Sequence, residues 1–104
     1  MPDEPLNVKF EVIDVNTLRM TWNPPRPTGA EVKGYVVYWN KVDGFREEIT
    51  LDNINEYTFS SLEPGQMISA SVCAFSDEDL FKESHITGLC SYHQWASLPM
   101  KEGG

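Results

Sequence analysis

Apolar residues along this chain recur at every second position rather than every third or fourth. Leu6, Val8 and Phe10 alternate with Asn7 and Lys9, and Leu18, Met20 and Trp22 alternate with Arg19 and Thr21. Tyr35, Val37 and Trp39 share one face of a third stretch, Tyr57 and Phe59 of a later one, and Ile68, Ala70, Val72 and Ala74 form the longest run. Successive side chains of a strand point to opposite faces, so this period describes strands with one buried side. The pattern predicts seven short strands, near residues 6–13, 17–23, 33–40, 46–51, 57–59, 68–74 and 86–92, and no substantial helix. Turn residues fall between them. Pro24, Pro25, Pro27 and Gly29 break the chain after the second strand, because proline cannot donate to a ladder, and Asp43-Gly44 is a hairpin signal. Leu62-Glu63-Pro64-Gly65 is a corner, with proline presetting φ and glycine free to take a positive one. Trp22, Tyr35, Val37, Phe59, Leu62 and Val72 are the expected core. Residues 1–4 and 96–104 are expected to be a flexible leader and a frayed tail around a domain at 5–95.

Three segments together carry more than any of them alone: Leu18-Arg19-Met20-Thr21-Trp22-Asn23-Pro24-Pro25, Gly34-Tyr35-Val36-Val37-Tyr38-Trp39 and Leu62-Glu63-Pro64-Gly65. A strand ending in Trp-x-Pro-Pro, then a Gly-Tyr-x-Val-x-aromatic strand, then a Leu-x-Pro-Gly corner resembles the fibronectin type III family across residues 5–92. The resemblance implies an all-β fold, a seven-stranded immunoglobulin-like antiparallel sandwich of two sheets. It also implies a non-catalytic binding or spacer module, with neighbouring domains in a longer chain. The expected setting is extracellular or cell-surface, in an adhesion molecule, receptor or matrix protein. The alternative is a cytoplasmic structural module of the muscle-filament type, with which the lack of any Asn-x-Ser/Thr glycosylation site is compatible. One departure stands out. The family pattern places a tyrosine three residues beyond the corner glycine, and here that residue is Ile68. Isoleucine fills the strand-face pocket but loses a hydrogen bond worth about 0.5–1.5 kcal/mol. Neither Arg-Gly-Asp nor Trp-Ser-x-Trp-Ser occurs, so integrin binding through the first and the cytokine-receptor branch are not implied.

Composition narrows the partners. A chain of 104 residues fits one domain, and 40% hydrophobic residues with three Trp, four Tyr and five Phe supply a core. No apolar run approaches the roughly 20 residues needed to cross a bilayer, so direct membrane insertion is not expected. Met1-Pro2-Asp3-Glu4 has neither the basic nor the apolar region of a signal peptide. A net charge of −8 disfavours nucleic acid and anionic membranes and suits a protein partner with a basic surface.

Candidate chemistry is sparse. Cys73, Cys90, His85 and His93 are close in sequence, but only Cys90 and His93 are compact, and their odd separation points them to opposite strand faces. No metal site is expected. A loop centred near Leu80 and Phe81 brings Cys73 almost opposite Cys90, which would suit a disulfide. Yet Val72 and Ala74 face inward, so Cys73 faces out, while Cys90 shares a parity with Ile86 and Tyr92 that reads as inward. Without a bulge the sulfurs lie on opposite sides, and the expectation is two reduced thiols, with Cys73 reactive and Cys90 buried. No nucleophile motif or glycine-rich phosphate loop occurs, so neither an enzyme nor a cofactor is expected. Asp77, Glu78 and Asp79 are consecutive, so their side chains diverge, and they lack the spacing of a calcium loop. Pro24-Pro25-Arg26-Pro27 reads as a rigid strand exit rather than a polyproline ligand.

One surface emerges as a candidate. Val36, Tyr38 and Phe75 take the outward parity of neighbouring strands and should form an apolar patch. Leu80 and Phe81 would extend it as anchors, with Asp77, Glu78, Asp79 and Glu83 as an acidic rim.

Overall fold

Each alternating stretch except the last becomes a strand where the alternation places it. The computed structural model describes residues 2–29, 31–41, 44–51, 54–76 and 89–100, with 41 and 44–51 as backbone only. The strands are β1 (Leu6–Asp14), β2 (Thr17–Asn23), β3 (Gly34–Lys41), β4 (Gly44–Leu51), β5 (Glu56–Phe59), β6 (Met67–Phe75) and β7 (Gln94–Ser97). They form two antiparallel sheets, one in the order β1-β2-β5 and the other β4-β3-β6-β7. The architecture is therefore the all-β sandwich of two antiparallel sheets that the family resemblance implies.

The core lies between the sheets and is built from the inward parity of each strand. Leu18, Met20 and Trp22 come from β2, Tyr35, Val37 and Trp39 from β3, Phe59 from β5, and Ile68, Ala70, Val72 and Ala74 from β6. All six residues expected in the core are buried. Aromatic rings bridge the layers: Trp22 meets Tyr35 edge-on with centroids 5.3 Å apart, and Trp39 approaches Phe59 at 4.9 Å, while Tyr57 meets Phe59 within β5 at 4.9 Å. Tilted and edge-on pairs of this kind favour the ring quadrupoles as well as burying area.

The corner before β6 shows what replaces the missing tyrosine. Ile68 is fully buried, as its place on the strand requires. The Leu62 N–H donates to the Asn16 carbonyl at 3.0 Å, and Asn16 Nδ2 donates to the Leu62 carbonyl at 2.8 Å. This reciprocal pair ties the corner to the turn between β1 and β2. Gly65 takes a φ of 77°, which glycine alone adopts without a steric cost.

The chain's end corrects the expectation of a final strand at residues 86–92, and it shows Ala96 and Leu98 packed, while 101–104 of the expected tail lie outside the described residues. The last strand is Gln94–Ser97, paired with Met67–Ala70 of β6, while 86–88 lie outside the described residues. Beyond it Leu98 is only 4% exposed and joins the core. The Leu98 N–H donates to the Gln66 carbonyl and the Gly65 N–H to the Pro99 carbonyl, both at 2.9 Å. Met100 lies over Gly65, where a methyl group would collide with its sulfur. Ala96 and Leu98 are the inward pair that holds this segment, and their burial outweighs the entropy of leaving it loose.

Candidate interaction surface

Strand β6 has two faces, and the outward one carries the chemistry. Ser69, Ser71, Cys73 and Phe75 alternate with the core residues and are all buried. Across the ladder from β3, Gly34 stands opposite Phe75, Val36 opposite Cys73, Tyr38 opposite Ser71 and Asn40 opposite Ser69. The expected exposed patch is therefore corrected: Val36 is 5% and Phe75 3% exposed, while Tyr38 is half-buried. The register supplies the reason. Val36 abuts the residue that carries the disulfide, and Phe75 lies beside a glycine with no side chain to hold the ring off the sheet. Asp77, Glu78, Asp79, Leu80 and Phe81 lie outside the described residues, as do Glu83 and His85.

Cys73 and Cys90 are joined in a disulfide, with Cα atoms 4.1 Å apart, where two reduced thiols were expected. The pairing register explains the difference. Ala70 stands opposite Gln94 and Cys73 opposite Cys90, so β6 advances by three residues while its partner takes four. That one extra residue is a bulge. It lets Cys90 share the outward face with Cys73 and still returns Ala96 and Leu98 to the inward face. Cys73 is the buried partner and Cys90 the exposed one, the reverse of the expected order. Ser91 reinforces the junction: its N–H donates to the Val72 carbonyl at 2.9 Å, and its Oγ accepts from the Val72 N–H at 3.0 Å.

His93 is seated on the same face. Its Nδ1 lies 3.1 Å from Ser69 Oγ and its Nε2 3.4 Å from Ser71 Oγ. A neutral imidazole donates from one nitrogen and accepts at the other, which two hydroxyls accommodate in either tautomer. The contact has the residue types of a nucleophile and base. However, Ser69 and Ser71 are both buried, so neither presents its oxygen to a substrate. The arrangement positions a ring on a sheet rather than activating a hydroxyl. Among the described residues no three His, Cys, Asp or Glu side chains converge as metal ligands.

What the face does expose comes from the chain's last segment. Trp95, opposite Ser69 on β7, is 62% exposed, and Tyr92 is 93% exposed. Sequence reasoning missed both because it placed the last strand too early. The signal for Trp95 was the alternation of Gln94-Trp95-Ala96-Ser97-Leu98, with alanine and leucine on one parity and tryptophan on the other.

Comparisons with known proteins agree with this architecture. The model of the fibronectin type III domain matches residues 3–87. Oncosphere antigen A of Hydatigena taeniaeformis is 37% identical over 75 residues, covering 72% of this chain and 24% of that protein. Fibronectin type III domain-containing protein 1 of Margaritifera margaritifera is 28% identical over 85 residues, covering 81% of this chain and 11% of that protein. The chain thus spans about a quarter or less of the length of these curated relatives. Among solved structures, the FN5 domain of Drosophila Lar superimposes with a TM-score of 0.71 at 19% identity, with both chains fully covered. The sixth fibronectin type III domain of human fibronectin type III domain containing protein 3 gives 0.76 at 20% identity, covering 100% of this chain and 92% of that one. Fold, corner and sequence match coincide, and this chain belongs to the fibronectin type III family.

Proposed function

We propose that this domain is a non-catalytic protein-interaction module that works outside the reducing cytosol, secreted or at the cell surface, within a longer multidomain chain. The observation that carries this reading is the Cys73–Cys90 disulfide. Such bonds persist in oxidising compartments and are rare where glutathione keeps thiols reduced. The chain covers 24% of a relative named as an antigen and 4% of one named as a tyrosine-protein phosphatase, which supports a multidomain setting. The acidic charge of −8 favours a partner with a basic surface. We place part of that contact on the loop at 76–84, where Leu80 and Phe81 would anchor and Asp77, Glu78 and Asp79 would rim the site.

The test has two arms. Full-length protein on intact cells, or in their medium, should react with a membrane-impermeant amine reagent, and its domain should be two mass units light under non-reducing conditions. Protein confined to the cytosol with two free thiols would overturn the reading in favour of an intracellular structural module. Leu80→Ser with Phe81→Ser should weaken partner binding by more than about 2 kcal/mol if these residues are hot spots.

A further inference from the structure

Strand β1 is an edge of one sheet and β7 of the other, and the chain leading into each comes together at one flank of the sandwich. Between them lies a cleft of about 410 Å³. One wall is Glu4–Val8, the other Leu89–Tyr92 with Gln94. The Leu89 N–H donates to the Pro2 carbonyl at 3.0 Å, which ties the two walls together. The first wall is irregular where it borders the cleft: the β1–β2 register slips between Leu6 and Lys9, and Asn7 holds a φ of 53°. Asparagine is one of the few non-glycine residues that enter that region readily, and register slips of this kind are over-represented at sheet edges. The second wall is the bulged segment, fixed by the disulfide and by Ser91. Among the described lining residues Glu4 is the only charged one.

We propose that this cleft receives an extended, basic peptide segment of a partner protein, which adds to the sheet edge through its backbone. The proposal rests on the reading of the domain as a protein-interaction module and names one surface for it. β1 is an edge strand with no described strand on its outer side, so its backbone can pair with an inserted strand while the second wall closes the cleft. Leu89 and Tyr92 stand exposed at the rim, where they would cover alternate side chains of the peptide. Charge selects the partner: walls whose described residues bear one carboxylate and no cation, on a chain of net charge −8, attract lysine and arginine and repel acidic segments.

The probe is a random nonapeptide library, selected against the oxidised, folded domain at physiological salt, with binders mapped by backbone amide shifts. Selected peptides should be enriched in Lys and Arg and should shift the amides of Glu4–Val8 and Leu89–Gln94. N-methylation at alternate peptide nitrogens should weaken them about tenfold or more, since several backbone bonds are lost together. Glu4→Gln should weaken them about threefold, as befits one exposed charge. Failure to select any binder, or selection of acidic peptides, would overturn the proposal. Binders that shift only other regions would also overturn it while leaving the interaction-module reading intact, because that reading is tested by compartment and by the loop at 76–84.

Discussion

Breaking the Cys73–Cys90 bond should lower stability by a calculable amount while leaving the fold in place. The cysteines are 17 residues apart, and closing a loop of that length restricts the unfolded chain by about 3 kcal/mol. The folded state should change little, because the Ser91–Val72 hydrogen bonds and the buried Leu98 hold the same segment without the bond. The cost therefore falls almost wholly on the unfolded side. Urea unfolding followed by tryptophan fluorescence, with and without reductant, should show the midpoint falling by about 1–3 M on reduction at an unchanged native spectrum. Cys90→Ser should match the reduced protein, since Cys90 is exposed and loses only the cross-link. Cys73→Ser should be worse by a further 1–3 kcal/mol or about that, because it places a hydroxyl at a fully buried position. Coincident midpoints for oxidised and reduced protein would refute the reasoning, as would a Cys90→Ser variant that loses its native spectrum.

Three further predictions concern the core and the chain's end. Leu98→Ala should cost about 2–4 kcal/mol by thermal or chemical unfolding, as for any buried leucine, whereas a frayed tail would give no change. Gly65→Ala should cost about 1–2 kcal/mol, partly from its positive φ and partly from the collision with Met100; adding Met100→Ala should recover only the second part in a double-mutant cycle. Burial pushes the Tyr35 hydroxyl above its ordinary value, partly offset by Trp22 beside it. A raised acid keeps its stabilising effect below the unfolded pKa and loses it as pH climbs through the folded one, so stability should fall at strongly alkaline pH. Tyr35→Phe should flatten that alkaline limb, and an unchanged limb would exclude Tyr35 as its source.

The sandwich was legible because inward parity is a local property: Trp22, Tyr35, Val37 and Val72 each follow from two-residue alternation and a nearby turn. Parity fails where the ladder slips. A single extra residue between Cys90 and Gln94 reversed the facing of Cys90, so the disulfide, the position of β7 and the burial of Leu98 were misread together. No residue in that segment announces the bulge, since it arises from satisfying the Cys73 pairing and the inward Leu98 at once. The expected exposure of Val36 and Phe75 failed for a different reason. Val36 and Phe75 do point away from the core, but pointing outward is not exposure when the neighbour across the ladder carries a disulfide or lacks a side chain. Tyr92, by contrast, was expected on the inward face of the last strand and Trp95 just beyond that strand, and both are exposed.

The cross-link at the base of the connection between β6 and the last segment also decouples that connection from folding. Lengthening an ordinary loop lowers stability, because a longer loop loses more entropy when its ends meet, by about 0.6 kcal/mol for each doubling. Here the ends are already joined in the unfolded chain, so the same loss is present in both states and cancels from the difference. Length changes between Ser76 and Leu89 should therefore have little effect on whether the sandwich forms, whereas Ala74 and Phe75, within the same cross-linked span, are buried and remain constrained. The frame can thus accept inserts of different length at this point, and the oxidation of two thiols is what makes that length neutral.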